Sequence, residues 1–291
     1  MFSKRLLAVS TLFCLCSSLA AAAADTKTTQ VSLTAAQIVE KYVAARGGLQ
    51  AWRAVQAMSW TGKLDAGGGS VERSRRYVAE SGKGHASKVV LASSKEGGTK
   101  AEADTQVQLP FVLEMKRPNK SRVEVVFAGK TAVQVYDGTN GWKVRPYLNR
   151  TDAEPFTPDE LKSEAGRAAL DGPLIDYAAK GSKVDLEGVE PVAGRDAYKL
   201  KLTTKNGDVQ HIWIDTGSYL DVKVEGTPRR MDGKMRNVWI YQRDFRSVQG
   251  VMVPFILETA VDGYKDTHSM VIEKVAVNPN LQDSLFAKPK V

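Results

Sequence analysis

The stretch Asp196-Ala-Tyr-Lys-Leu-Lys-Leu-Thr-Thr-Lys-Asn-Gly-Asp-Val-Gln-His-Ile-Trp-Ile-Asp215 decides the fold class. Tyr198, Leu200 and Leu202 recur at every second position, and so do Ile212 and Ile214 across Asn206-Gly207. Successive side chains of a strand point to opposite faces of a sheet, so this spacing builds one apolar face and one wetter face. The pattern continues to the C-terminal side in Leu220-Val222-Val224, Val253-Phe255-Leu257 and Met270-Ile272. Asp232-Gly233, Gln249-Gly250 and Asp262-Gly263 fall between the runs, and such pairs tolerate the positive φ angles of tight hairpins. The reading is a long antiparallel sheet with one apolar face.

Towards the N-terminus the same logic gives strands over 58–64, 71–78, 111–116, 122–127, 131–136 and 142–144. Gly67-Gly68-Gly69 reads as a hairpin tip, because it lacks the following helix whose N-terminus would hold a phosphate. Thr34 with Gln37 forms a capping box ahead of Ile38, Val39, Tyr42 and Val43, a helix closed by Gly47-Gly48. Leu49, Trp52 and Val55 predict a second, short helix. Thr157, Pro158 and Glu160 mark a third helix start, and 174–179 predicts one more short helix before Gly181. Strands interrupted by helices, with no linker or shift of composition, give one α+β domain over 32–291: a curved antiparallel sheet with helices laid over one face.

The first residues read as an export signal. Lys4 and Arg5 form the basic region, 6–19 the apolar core, and Ala20 to Ala24 the cleavage zone, which leaves a polar, disordered 25–31 at the new N-terminus. A retained N-terminal anchor is the alternative. Phe13 and Leu15 precede the two cysteines, Cys14 and Cys16, where a lipidated cysteine needs a small residue. The mature chain then carries no thiol, and export without disulfides fits a bacterial periplasm. The net charge of +8 fits plain solubility or attraction to anionic lipid or an acidic partner, with Arg73, Arg75, Arg76, Arg229 and Arg230 as local basic clusters. Nucleic acid is not an expected partner, since export removes the chain from it and no recognition motif is present.

No catalytic or metal signature stands out. His85, His211 and His268 lie at no metal-ligand spacing, and a Gly-x-Ser-x-Gly elbow is missing. His211 shares a strand face with Trp213 and Asp215, which reads more simply as packing than as a proton relay. No cofactor is expected. Large apolar residues on predicted strands are the candidate contacts for an acyl chain: Leu113, Trp142, Leu200, Trp213, Trp239 and Phe255. A one-residue slip of register would turn each to the other face.

Several segments together resemble periplasmic lipoprotein carriers of the LolA type. Phe111-Val-Leu-Glu-Met-Lys-Arg-Pro-Asn-Lys-Ser-Arg-Val-Glu124 is similar to their strand–Lys–x–Pro–x–x–x–Arg segment. Val133-Gln-Val-Tyr-Asp-Gly-Thr-Asn-Gly-Trp142 is similar to the following hairpin, and Phe245-Arg-Ser-Val-Gln-Gly-Val-Met-Val-Pro254 and Leu285-Phe-Ala-Lys-Pro289 resemble later pieces of outer-membrane lipoprotein-sorting proteins. The resemblance implies an incomplete antiparallel β-barrel whose concave face is covered by helices. It also implies a hydrophobic cavity for the acyl chains of lipoprotein or lipid, an inner- or outer-membrane partner protein and no enzymatic step. An envelope sensor or protein-interaction module on the same fold is the other reading. The chain departs from the compact carriers by an added Gly-rich region between Leu64 and Thr105.

Overall fold

The computed structural model describes residues 33–65 and 107–290. The export signal, the 25–31 segment, the triple glycine, the 71–78 strand, His85 and the arginines at 73–76 lie outside the described residues.

Thirteen strands form a single antiparallel sheet among the described residues. Seven of them are β1 (Ala57–Asp65), β2 (Gln108–Lys116), β3 (Lys120–Phe127), β4 (Lys130–Tyr136), β5 (Gly141–Arg145), β6 (Arg150–Pro155) and β7 (Lys183–Val192). The others are β8 (Arg195–Thr203), β9 (Val209–Asp215), β10 (Asp221–Met231), β11 (Lys234–Val248), β12 (Val251–Val261) and β13 (His268–Val277). The spatial order, β6-β5-β4-β3-β2-β1-β13-β12-β11-β10-β9-β8-β7, is two meanders joined where β1 pairs with β13. β6 and β7 are the two edges, so the sheet is not closed into a barrel.

Among the described residues the α-helices are α1 (Ala35–Ala45), α2 (Leu49–Ala54) and α3 (Pro158–Arg167). Both expected capping boxes are made, Thr34 with Gln37 and Thr157 with Glu160. α1 ends where Gly47 takes φ +107° and the Gly48 amide donates to the Val43 carbonyl, a backbone turn that disfavours a side chain. Beyond α3 the chain must travel from the β6 edge to the β7 edge, and it does so through residues 168–182. The short helix expected over 174–179 is instead a run of turns. Asp176 sits at φ +57° and Gly172 at φ +72°, and a left-handed residue inside each turn breaks the helical ladder.

One apolar cluster gathers α1, α2 and the 168–182 crossover against a single face of the sheet. It includes Phe111 and Met115 of β2, Leu200 and Leu202 of β8, and Val184 and Leu186 of β7. In a flat sheet β2 and β7 would lie roughly 38 Å apart at the usual strand spacing. Yet α1, about 16 Å long, packs on β7 while α2 is hydrogen-bonded to the turn after β2. The sheet therefore curls around its helical cover. This is the α+β, incomplete-barrel architecture expected from the sequence.

Two details of register differ from simple alternation. Pairing of β10 with β9 shifts between Asp221 and Lys223, so Val222 joins the outer face while Val224 stays with the covered face. β1 shifts against β13 between Thr61 and Gly62. A bulge inserts one residue and re-aims the side chains that follow it. Alternation read from sequence has no means of registering that extra residue.

Candidate functional site: the covered apolar face

The site is the interface between the helical cover and the inner face of the sheet. Ile38, Val39 and Tyr42 descend from one side of α1, Trp52 from α2, and Leu174 and Ile175 from the crossover. They meet Met58, Leu200, Ile212, Ile214, Val253 and Ile272 from the sheet. Ile38, Leu174, Ile175, Met58, Leu200, Ile214 and Val253 have no exposed surface. The space between cover and sheet is thus filled by the protein's own side chains. Two shallow, open hollows among the described residues lie elsewhere. One of about 330 Å³ is lined by Leu33, Gln37, Glu40, Lys41 and Ala44 of α1, and one of about 80 Å³ lies against α3 beside Phe156.

Polar groups fasten the cover at two points. At the end of α1, buried Arg46 donates from Nη1 to the Tyr42 hydroxyl at 2.8 Å and to Asp221 Oδ1 at 3.0 Å. Its Nε donates to the Met252 carbonyl at 2.8 Å, while its own carbonyl accepts from the Met252 amide and from Trp52 Nε1. The guanidinium also lies against the rings of Tyr42, Trp52 and Phe245. Asp221 takes a further hydrogen bond from Gln242 Nε2. Burial raises the Tyr42 phenol above its ordinary range, and the nearby Asp221 charge acts in the same sense. Tyr42 therefore works as a neutral hydroxyl.

At the second point Arg117 donates to the Val55 and Trp52 carbonyls at 2.7 and 3.1 Å, and to Asp171 Oδ2 at 2.9 Å. Lys180 closes on the other oxygen of Asp171 at 2.7 Å. Arg117, in the β2–β3 turn, thus ties α2 to the crossover through Asp171.

The outer face carries a separate, smaller cluster of Trp213, Val192 and Ala197, with Trp239, Tyr241 and Val222 beside it. Trp213 and Trp239 meet edge to face at 5.9 Å, and the Trp213 indole donates to Glu190 at 2.9 Å. Lys223 Nζ lies 4.1 Å from the Trp213 ring centre and 4.4 Å from that of Trp239. Burial holds its pKa below the usual lysine value. His211 Nδ1 is 2.6 Å from Glu225 Oε2.

The six residues chosen from sequence divide between these surroundings. Leu200 and Phe255 are buried in the covered interior, and Leu113 packs partly buried against it. Trp213 and Trp239 stand on the outer face, because Leu200 pairs with Ile212 whereas Trp213 pairs with Lys199. Trp142, in β5, belongs to neither cluster. Sequence reasoning did not single out Arg46 or Asp221. Their partnership spans 175 positions, and an arginine before Gly47-Gly48 reads as a helix end. Among the described residues no three His, Cys, Asp or Glu side chains are grouped to hold a metal ion.

No family model and no curated protein matches this chain. Solved structures do. The chain is similar to the structure of a LolA superfamily protein from Nitrosomonas europaea, with a TM-score of 0.51 and 14% identity, over 88% of this chain and 99% of that one. It is also similar to the structure of a DUF1329 family protein from Desulfovibrio piger, with a TM-score of 0.50 and 11% identity, over 87% of this chain and 97% of that one. At such identities the likeness speaks for the backbone alone, and on that ground the chain has the LolA-like fold.

Proposed function

We propose that the protein is an exported, non-enzymatic binding protein of the bacterial envelope whose covered apolar face takes acyl chains of lipoprotein or lipid. In this reading residues 1–24 direct export to the periplasm and 32–291 act as one binding domain. The observation that carries the reading is a continuous apolar face spanning strands of both meanders and covered by segments fastened through side chains. The fold likeness to a LolA superfamily protein supports it.

Because the interior is filled, an acyl chain must take the place of the cover. Lifting α1 parts Arg46 from Asp221 but returns both charges to water, so the pair itself adds little to the cost. Withdrawing Ile38, Val39, Tyr42 and Trp52 forfeits about 2 kcal/mol each. Against this a buried methylene contributes about 0.8 kcal/mol, so roughly ten methylenes offset the withdrawal of these four side chains. The preferred ligand is a long chain, as in lipid, and short fatty acids should not enter.

The test is mass spectrometry under native conditions on protein purified without detergent, together with uptake of fluorescent fatty acids of increasing length. The reading expects co-purified lipid or saturable uptake that begins only with long chains. Lipid-free protein that takes up no chain of any length would remove it. The filled interior favours a second reading, an interaction module that never opens, and that is the reading such a result would leave.

A further inference from the structure

Two tryptophans, Trp52 and Trp213, are buried with their indole N–H groups paired, the first to the Arg46 carbonyl and the second to Glu190. Trp60 differs. Its Nε1 is buried and has no hydrogen-bond partner among the described residues. Arg145 Nε shares that condition, but its guanidinium bonds Glu154 through Nη2. An indole has a single donor and no second way to satisfy it. Leaving a buried donor unpaired is costly, and native structures seldom do so without a use for the group.

The indole stands on the covered apolar face. In β1 it lies between Leu113 of β2 and Val275 of β13, and neither neighbour carries a side-chain acceptor. Its position also marks a border. Along this face of β1 burial eases from Met58, with no exposed surface, to Trp60 and Leu64, which are half-buried. Leu113, Leu257 and Met270 on neighbouring strands pack half-buried against the same cluster. An acylated molecule has a border of its own at the carbonyl, between a chain that leaves water and a head that keeps it.

We infer that the Trp60 indole N–H anchors the carbonyl oxygen of the bound acyl group, which makes the ligand an ester- or amide-linked chain rather than a bare or ether-linked one. The carbonyl accepts from Nε1, the chain runs from Trp60 towards Met58 under the cover, and the head lies towards Leu64. A donor that no described residue satisfies gains a partner only with such a ligand, so the gain favours carbonyl-bearing chains over others of equal length. The inference rests on the acyl-binding reading and adds to it the chemistry of the link.

The test is calorimetric binding of a sixteen-carbon lysophospholipid, kept below its micelle concentration, against the ether-linked counterpart with the same chain and head. The parent chain should bind the ester about tenfold more tightly than the ether. Trp60→Phe keeps an aromatic ring and removes the donor, so the two lipids should bind it alike. In isotope-labelled parent protein the Trp60 indole proton should move downfield with the ester and not with the ether, a readout that needs no variant to fold. Equal affinity of the parent for both lipids would overturn the anchor and leave acyl binding standing. A preference for the ester that survives in Trp60→Phe would also overturn it, since Trp60 would then serve packing alone. A parent chain that takes up neither lipid would remove the acyl-binding reading, and the anchor with it.

Discussion

At the residue scale, Arg46 and Asp215 show charge used in opposite ways. Arg46 is buried among three aromatic rings, and its charge is matched by Asp221 within the interior. Removing one partner of such a pair leaves the other buried and unpaired, which is why its loss is costly. Asp215 serves a turn instead. Burial alone would raise its carboxyl, but the amide and hydroxyl of Ser218, the Arg195 guanidinium and the Gly217 amide outweigh that and hold it below the ordinary carboxylate range. Asp137 and Glu160 move the same way, each against burial, through the Asn140 and Thr139 amides and through Lys143 respectively. A carboxylate whose folded pKa lies below its unfolded value stabilises the fold above the unfolded pKa, about 4. That contribution fades as pH falls through the folded value. Urea midpoints should accordingly drop as pH is lowered from about 5 towards 3, and Asp215→Asn should flatten the drop while lowering the midpoint at neutral pH.

At the scale of elements, the hairpins and helix caps were the legible part. Asp232-Gly233 and Gln249-Gly250 adopt paired positive φ angles, as expected of such turns. Ala128-Gly129 and Ala193-Gly194 turn the chain the same way, yet only the glycine announces it, because alanine carries no turn preference. The close approach of β1 to β13 was not legible at all. A Cβ on Gly62 would fall 2.0 Å from the Val271 carbonyl oxygen, backbone that has no room to yield. Its sequence context, a lone glycine inside a strand run, signals only that something approaches closely. Gly62→Ala should destabilise the protein by about 1–3 kcal/mol in urea denaturation, through the join between the two meanders. A neutral result would mean that the β1–β13 bulge relaxes freely.

At the scale of the whole molecule, the one-faced sheet followed from period-two spacing, and the sides of individual residues did not. Leu200 and Trp213 both lie on strands of high apolar content, but a partner register is needed to see that they point apart. The crossover that fills the interior was also hidden, since Leu170, Leu174 and Ile175 are spaced for a helix the chain does not form. What emerges is a curled sheet closed by its own cover, with Arg46 fastening α1 to β10 and β12. A ligand that binds only the uncovered state is weakened by the fraction of molecules that are open. Arg46→Leu would leave Asp221 unpaired when the cover is shut and solvated when it lifts, so it shifts the balance towards opening. The direct measurement is the apparent affinity for a sixteen-carbon fluorescent fatty acid, compared between the parent chain and Arg46→Leu, with circular dichroism verifying an intact sheet. Displacement of the cover predicts saturable binding in both, at least about tenfold tighter in the variant. Uptake in neither, or equal affinity in the two, would contradict it.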